Sequence, residues 1–200
     1  MYNKMNMTKP LVIFSHGKES GPQGSKIQAL AAVAQAHGAQ VISVDYRQAQ
    51  QGEGSGSDLR GEADRRVAQL LATPLPPHDR LILVGSSMGG YVATVASGAL
   101  KPAGLFLLAP AFYKDGYAEQ NPLPHASYTT LVHGWRDDVV PPENSIRFAQ
   151  QHRCALHMLD GDHRLNDALA AITPLFSNFL ETVLGDADQA GTRTVKSAET

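Results

Sequence analysis

The sequence predicts an α/β fold in which two layers of helices cover a mostly parallel six-stranded sheet, as a three-layer αβα sandwich. Two observations predict it. Short apolar runs rich in β-branched residues recur six times along the chain and are typical of strands that are mostly buried on both faces. Segments of helical period alternate with them, and right-handed crossovers make the neighbouring strands of such a chain parallel. The six runs are residues 11–14, 41–44, 81–84, 104–108, 130–132 and 155–159.

Five helices are expected among these strands. The first opens at residues 25–28, where Ser-Lys-Ile-Gln has the form of a capping box with Ser25 as the cap. Its apolar residues fall on one stripe, as in a helix that covers a sheet: Ile27, Leu30, Ala31 and Ala34. The other four helices are predicted over 59–71, after Gly89, from the Pro141-Pro142 pair, and from Asn166 with Pro174 kinking or splitting the last one.

The length of the chain favours one domain. Its 200 residues are near the upper end of what a single hydrophobic core usually serves, so we predict one domain over residues 1–185. Residues 186–200 are small and polar and have no apolar period. We expect them to form a mobile tail.

Composition argues against several classes of partner. The formal net charge is −2 and no basic run exceeds Arg65-Arg66, so we expect no nucleic-acid partner. The first ten residues lack an apolar signal segment and no run is long enough to cross a bilayer, so we expect a cytoplasmic protein without membrane contact. Cys154 is the only cysteine, which excludes an intrachain disulfide. No metal-ligand or dinucleotide motif is complete, and we expect neither a metal nor a cofactor.

Polar residues with catalytic chemistry follow several of the predicted strands. Parallel sheets hold ligands at the carboxyl ends of their strands, so these residues should meet at one edge of the sheet. The positions are His16-Gly17 after the first strand, Asp45 at the second, Ser87 after the third, Asp137 after the fifth and His163 after the sixth.

Residues 85–89, Gly-Ser-Ser-Met-Gly, fit the G-x-S-x-G pattern between a strand and a helix. A strand that turns into a helix within two residues leaves its serine in a strained conformation with an exposed hydroxyl. A side chain two positions to either side would collide with the neighbouring strand or helix, which explains both glycines. Ser87 is therefore the candidate nucleophile. The alternative is a tight turn whose glycines serve only packing.

A serine nucleophile needs a histidine base that a carboxylate orients. His163 lies downstream of the nucleophile in a polar turn that follows the last strand, and an ordinary surface histidine is the alternative. For the acid, Asp137 and Asp138 both follow the fifth strand. Both could instead charge the first turn of the helix that starts at Pro141-Pro142, where negative charge is favourable.

Three motifs together resemble the α/β-hydrolase superfamily over residues 11–184. His16-Gly17 is similar to the oxyanion turn of that family, residues 85–89 to its nucleophile elbow, and residues 133–141 to its HG-x-x-D-x-x-V-P acid loop. The turn at Gly161-Asp162-His163 resembles the one around the family's catalytic histidine. Asp45-Tyr46-Arg47 departs from the family pattern, since extra residues separate it from the glycines at 52 and 54.

The resemblance implies roles for particular residues. The first aspartate of the acid loop is the acid in that family, which selects Asp137 over Asp138. The backbone N–H groups of Met88 and Lys18 would form the oxyanion hole. Residues 111–127 are short where many lipases insert a helical cap, so a small serine esterase or thioesterase with little or no cap is implied, with an open site. His16 and Tyr113 are candidates for the substrate rim; His16 could instead brace its loop, and Tyr113 could cover the core.

The predicted function is therefore a serine hydrolase that cleaves a carboxylic ester or thioester of a small or exposed acyl group through an acyl-enzyme. The partner is a small-molecule acyl substrate, and the chain is expected to be a monomer or homodimer. Two alternatives stay open. An amide or peptide hydrolase would use the same three residues, and a non-catalytic binding protein could retain a hydrolase fold.

Overall fold

A computed structural model describes residues 8–47 and 59–193. In these ranges six strands and five helices follow one another in the order β1 (Lys9–Ser15), α1 (Ser25–Ala36), β2 (Gln40–Val44), α2 (Leu59–Ala72), β3 (His78–Ser86), α3 (Met88–Leu100), β4 (Gly104–Leu108), β5 (Tyr128–Gly134), α4 (Pro142–His152), β6 (Ala155–Leu159) and α5 (Leu169–Arg193).

The six strands form one sheet in the order β2-β1-β3-β4-β5-β6, and each neighbouring pair is parallel. This confirms the predicted α/β fold class. The chain places β2 on one side of β1 and then crosses to the other side for β3. Where the direction of the strand order reverses, open α/β sheets leave a crevice at the carboxyl ends of the strands. The reversal here lies between β1 and β3, the strands that precede His16 and Ser87.

One apolar core lies on each face of the sheet. Helices α2, α3 and α4 cover one face and bury Leu70, Tyr91 and Phe148. Helices α1 and α5 cover the other and bury Leu30 and Phe176. The central strand β4 is buried along its whole length, whereas the edge strands β2 and β6 are mostly half-buried. The expectation of burial on both faces therefore holds for the centre of the sheet, because each edge strand lacks a neighbour on one side.

The capping box predicted for α1 is wrong. Gly24 is the N-cap residue and no side chain caps the helix. Ser25 is already helical, and its hydroxyl donates to Oδ1 of Asn166 at 3.1 Å, far away in the sequence. A tertiary partner therefore takes the hydroxyl that a capping box would use locally.

The last helix differs from its predicted course at both ends. It starts at Leu169 rather than Asn166, and it continues through Pro174 without splitting. It also extends to Arg193, so residues 186–193 of the predicted tail are helical. Residues 109–127, between β4 and β5, contain neither helix nor strand, in agreement with the short or absent cap. None of the helices in the described part of the chain has the length and apolar character needed to cross a bilayer.

Candidate active site

The turn between β3 and α3 places Ser87 at the sheet edge in a strained conformation. Its φ is 53° and its ψ −120°, outside the backbone regions that residues other than glycine ordinarily adopt. A Cβ on Gly85 would lie 2.4 Å from the carbonyl oxygen of Gly89, and one on Gly89 would lie 2.0 Å from the carbonyl oxygen of Ser15 on β1. As predicted, a side chain at either position would collide with its surroundings, at Gly85 with the following helix and at Gly89 with the neighbouring strand.

Ser87, His163 and Asp137 are connected by hydrogen bonds. The Ser87 hydroxyl donates to Nε2 of His163 at 3.0 Å, and Nδ1–H of His163 donates to Oδ2 of Asp137 at 2.7 Å. The carboxylate thereby selects the tautomer that leaves Nε2 free to accept a proton from the serine. Three residues separated by up to 76 positions in the chain are brought together by the ends of β3, β5 and β6.

Asp137 and Asp138 have different environments. Asp137 is buried, and its Oδ1 accepts from the backbone N–H groups of Val139 at 2.9 Å and Val140 at 2.8 Å. Burial raises the pKa of this carboxyl, but the hydrogen bonds from His133, His163 and the two N–H groups outweigh it and hold the pKa below its usual value. Asp138 is exposed on the wall of the cavity. The geometry therefore favours Asp137 as the partner of His163.

His133 is a fourth member of this network, for which the sequence analysis assigns no role. Its side chain is fully buried, and Nε2–H donates to Oδ2 of Asp137 at 2.9 Å. Its Nδ1 accepts from the Ser145 hydroxyl at 2.7 Å. The acid loop thus starts with a histidine that holds its aspartate from behind. The motif at residues 133–137 could have indicated the contact between His133 and Asp137, because residues four apart can meet across a tight turn.

The turn after β1 passes directly over the nucleophile. A Cβ on Gly17 would lie 3.4 Å from Cβ of Ser87, so the two segments are in contact. Lys18 lies on the wall of the same cavity as Ser87 and Met88. Met88 is the first residue of α3, and N–H groups in a first turn have no acceptor within their helix. Both residues expected at the oxyanion hole therefore line the cavity at Ser87.

Arg66 supports this turn from below, and nothing in the sequence pattern had marked it. It lies on α2 with no exposed surface. Nη1 donates to the carbonyl oxygens of His16 at 3.0 Å and Gly17 at 3.3 Å, and Nη2 donates to Oε1 of Glu62 at 2.7 Å. The guanidinium also lies 5.1 Å from the centre of the Tyr46 ring. A Glu and an Arg four residues apart are ordinarily a surface pair, so this one carried no distinctive signal.

His16, a candidate for the substrate rim, lies on the wall of the cavity, and its imidazole is engaged on the protein side. Its side chain is buried, Nδ1–H donates to the carbonyl oxygen of Gly17 at 2.7 Å, and Nε2 accepts from N–H of Tyr46 at 3.1 Å. Burial lowers the pKa of the imidazole, which favours this neutral form. With both ring nitrogens occupied, His16 braces the loop, the alternative that the sequence left open.

Tyr113, unlike His16, does not lie where the prediction of a rim residue put it. It does not line the cavity; its ring lies 4.0 Å below the guanidinium of Arg147 on α4. Its φ of 55° turns the chain at this point. Lys114 and Tyr117 from the same segment reach the cavity instead. A one-residue reversal of direction is not visible in the sequence.

The cavity at Ser87 and His163 has a volume of about 740 Å³. Part of its wall is apolar, from Phe14, Ile27, Leu30, Val84 and Leu108. Charged side chains of both signs line the rest: Lys18, Lys26, Lys114, Arg164, Glu19, Asp138 and Asp162. Among the residues that the structure describes, no group of three His, Cys, Asp or Glu side chains could hold a metal ion.

Comparison with known proteins identifies the family. The profile of the alpha/beta hydrolase family matches residues 12–198, most of the chain. This chain belongs to the alpha/beta hydrolase family. No curated protein matches the sequence of this hydrolase.

Several solved structures share its fold. A candidate hydrolase of the alpha/beta superfamily from Xanthomonas campestris pv. campestris is 29% identical with a TM-score of 0.72, over 87% of this chain and 99% of that one. Est1E from Butyrivibrio proteoclasticus is 18% identical with a TM-score of 0.73, over 89% of each chain. A member of the alpha/beta serine hydrolases without a lid, XC6422 from Xanthomonas campestris, is 20% identical with a TM-score of 0.69, over 88% and 83%.

Proposed function

We propose that this hydrolase is a serine esterase or thioesterase that acts through an acyl-enzyme on Ser87. The observation that carries the proposal is the continuous hydrogen-bonded chain from Ser87 through His163 to Asp137, with distances of 3.0 and 2.7 Å. A hydroxyl is a weak nucleophile at neutral pH, and this arrangement supplies the base and the orienting carboxylate that it needs.

In the first half of the reaction, Ser87 Oγ attacks the carbonyl carbon while Nε2 of His163 takes the hydroxyl proton. The carbonyl electrons move onto oxygen, and the negative charge of Asp137 stabilises the imidazolium that forms. When the tetrahedral intermediate collapses, the bond to the leaving oxygen or sulfur breaks and His163 returns the proton to it. Water then attacks the acyl-enzyme with His163 again as base, which releases the acid and restores Ser87.

The oxyanion would be bound by the N–H groups of Met88 and Lys18. Buried hydrogen bonds to the preceding carbonyl group favour the required orientation of the Lys18 N–H. In a trans peptide the C=O and the following N–H point in opposite directions. The carbonyl oxygen of Gly17 faces Arg66 and the His16 imidazole inside the protein. The N–H of Lys18 therefore points the other way, and Lys18 lines the cavity. Arg66 is thus a positioning residue for this turn.

Esters and thioesters are favoured over amides because alkoxide and thiolate are better leaving groups than an amide nitrogen. The short segment between β4 and β5 supports a small or exposed acyl group, since no helical cap encloses the cavity in residues 109–127. Conversion of an aryl ester and the anilide of the same short acid should therefore differ strongly, with the ester faster.

A fluorophosphonate probe tests the nucleophile. We expect the wild type to gain the mass of one probe and Ser87→Ala to gain none. Ser86→Ala is the matched control, because Ser86 lies in the same turn and on the same cavity but has no contact with His163 among the described hydrogen bonds. Of the aryl esters acetate, butyrate and octanoate, the shorter two should react fastest. Labelling of Ser87→Ala, or none of the wild type, would overturn the assignment.

A further inference from the structure

Lys26 stands on the wall of the catalytic cavity in the first turn of α1. The neighbouring Ser25 hydroxyl donates to Oδ1 of Asn166 at 3.1 Å, which ties the start of α1 to the loop that follows His163. Ile27 and Leu30 from the same helix line the cavity as well. Lys26 therefore belongs to a wall that is fixed relative to the catalytic base.

No hydrogen bond or ion pair of the Lys26 ammonium is present in the described part of the chain, whereas three other cations in this region have acidic partners. Lys18 lies 4.0 Å from Glu62, Arg66 pairs with the same carboxylate, and Arg136 pairs with Asp160. The acid whose charge acts most strongly on Lys26 is Asp162, whose Oδ1 accepts from the N–H of Leu165.

Partial burial of this cation is unfavourable. Burial lowers the pKa of Lys26 to about 8, although the charges of Asp162 and Asp137 act in the opposite direction. The amine is therefore still mostly protonated at neutral pH. A cation that has lost part of its hydration without gaining an anion is stabilised by a ligand that supplies one.

We propose that the substrate carries a carboxylate, which the Lys26 ammonium binds inside the catalytic cavity. The proposal rests on the proposed esterase function and specifies its substrate class. The half-buried Ile27 on the same wall fits a short aliphatic chain between the ester and the charged group. A carboxylate fits better than a phosphate because Glu19, Asp138 and Asp162 share the cavity and would repel a dianion.

Two matched ester pairs test this. Monomethyl glutarate and methyl pentanoate differ only in a terminal carboxylate on the acyl side, and γ-acetoxybutyrate and butyl acetate differ in the same way on the alcohol side. We expect the wild type to favour the charged member of one pair in kcat/KM by at least about tenfold, the effect of one charge-assisted hydrogen bond. The favoured pair identifies the side of the ester that faces Lys26.

Variants assign the preference to one side chain. In Lys26→Met, an unbranched side chain one atom shorter and without the charge, the ratio of kcat/KM for the charged ester to that for the neutral one should fall to about one. Lys26→Arg should keep most of it. Lys114→Met removes another lysine of the same cavity and should retain the ratio. A ratio that survives in Lys26→Met, or that Lys114→Met lowers equally, would overturn the proposal.

The outcome for Lys26 is separable from that for the esterase function. A wild type that reacts with the fluorophosphonate and hydrolyses both neutral esters, but shows no preference in either pair, overturns the carboxylate proposal alone. A wild type that neither labels nor hydrolyses any of the four esters overturns both proposals.

Discussion

At the scale of single residues, Asp137 and Asp138 provide a direct comparison. Asp137 accepts four hydrogen bonds, whereas Asp138 is exposed. An amide at 137 can no longer hold His163 in the required tautomer, so kcat of Asp137→Asn should fall by about 1,000- to 10,000-fold. Asp138→Asn should stay within about threefold of the wild type. Hydrolysis of a short aryl ester measures both, and the reverse ranking would transfer the acid role to Asp138.

The residues that we propose take part in the reaction were the ones that the sequence could indicate. Ser87, Asp137 and His163 follow strands in motifs that the resemblance made specific, and the structure brings all three together. Tyr113 was misplaced, and the contact of His16 with Tyr46 could not be predicted, because side-chain direction depends on local φ and on tertiary hydrogen bonds. The sequence indicated His133 only as part of a motif and not its role, since its partner Ser145 lies on a different element, helix α4.

At the scale of elements, helix α2 reaches the site through one buried side chain. Arg66→Met removes both hydrogen bonds from Nη1 to the turn after β1 and leaves the buried Glu62 carboxylate with its weaker partner Lys18, at 4.0 Å. We expect kcat to fall by about 10- to 100-fold with little change in KM, because the N–H of Lys18 acts on charge that develops in the transition state. The free energy of unfolding should also fall by about 3 kcal/mol.

Two further variants separate positioning from stability. Arg66→Lys keeps the charge beside Glu62 but has one compact head group for three acceptors, so stability should recover more than kcat. Arg65→Met, an exposed neighbour on α2, should change neither. Steady-state kinetics well below the melting temperature and urea unfolding measure the two effects. An unchanged kcat in Arg66→Met, together with a loss of stability, would show that Arg66 supports the fold alone.

Helix starts were the weakest element-scale predictions. The Ser-x-x-Gln spacing at residue 25 is compatible with a capping box, but the Ser25 hydroxyl donates to the side chain of Asn166 instead. A partner so far along the chain is not encoded in the local sequence. The start at Pro142 was predicted well because proline fixes its own φ without any partner.

At the scale of the whole molecule, alternation of strand and helix was sufficient for the fold class. It was not sufficient for the strand order, because the apolar runs are interchangeable in composition and only packing decides that β2 lies outside β1. The same holds for contacts between layers, such as Arg66 below the turn at His16. The proximity of the proposed catalytic residues was nevertheless predictable, since every parallel strand ends at the same edge of the sheet.

The free energy of unfolding as a function of pH is a property of the whole molecule. A comparison of the wild type with Lys26→Met isolates the contribution of Lys26. Its pKa is about 8 when folded and ~10.4 when unfolded, so below pH 8 both states hold the proton and the folded state bears the full effect of burying it. Between these values the unfolded chain binds more protons, and stability rises with pH. Lys26→Met should therefore be more stable than the wild type at neutral pH, by about 1–3 kcal/mol.

Urea unfolding of both proteins, at neutral pH and near the unfolded-state pKa of lysine, measures this difference. It should narrow at the higher pH, because the wild type has then lost the buried charge and the variant has none to lose. Equal differences at both pH values would mean that the ammonium is fully hydrated in the folded protein. The expected result makes Lys26 a residue that opposes folding, which is typical of side chains retained for a ligand rather than for the core.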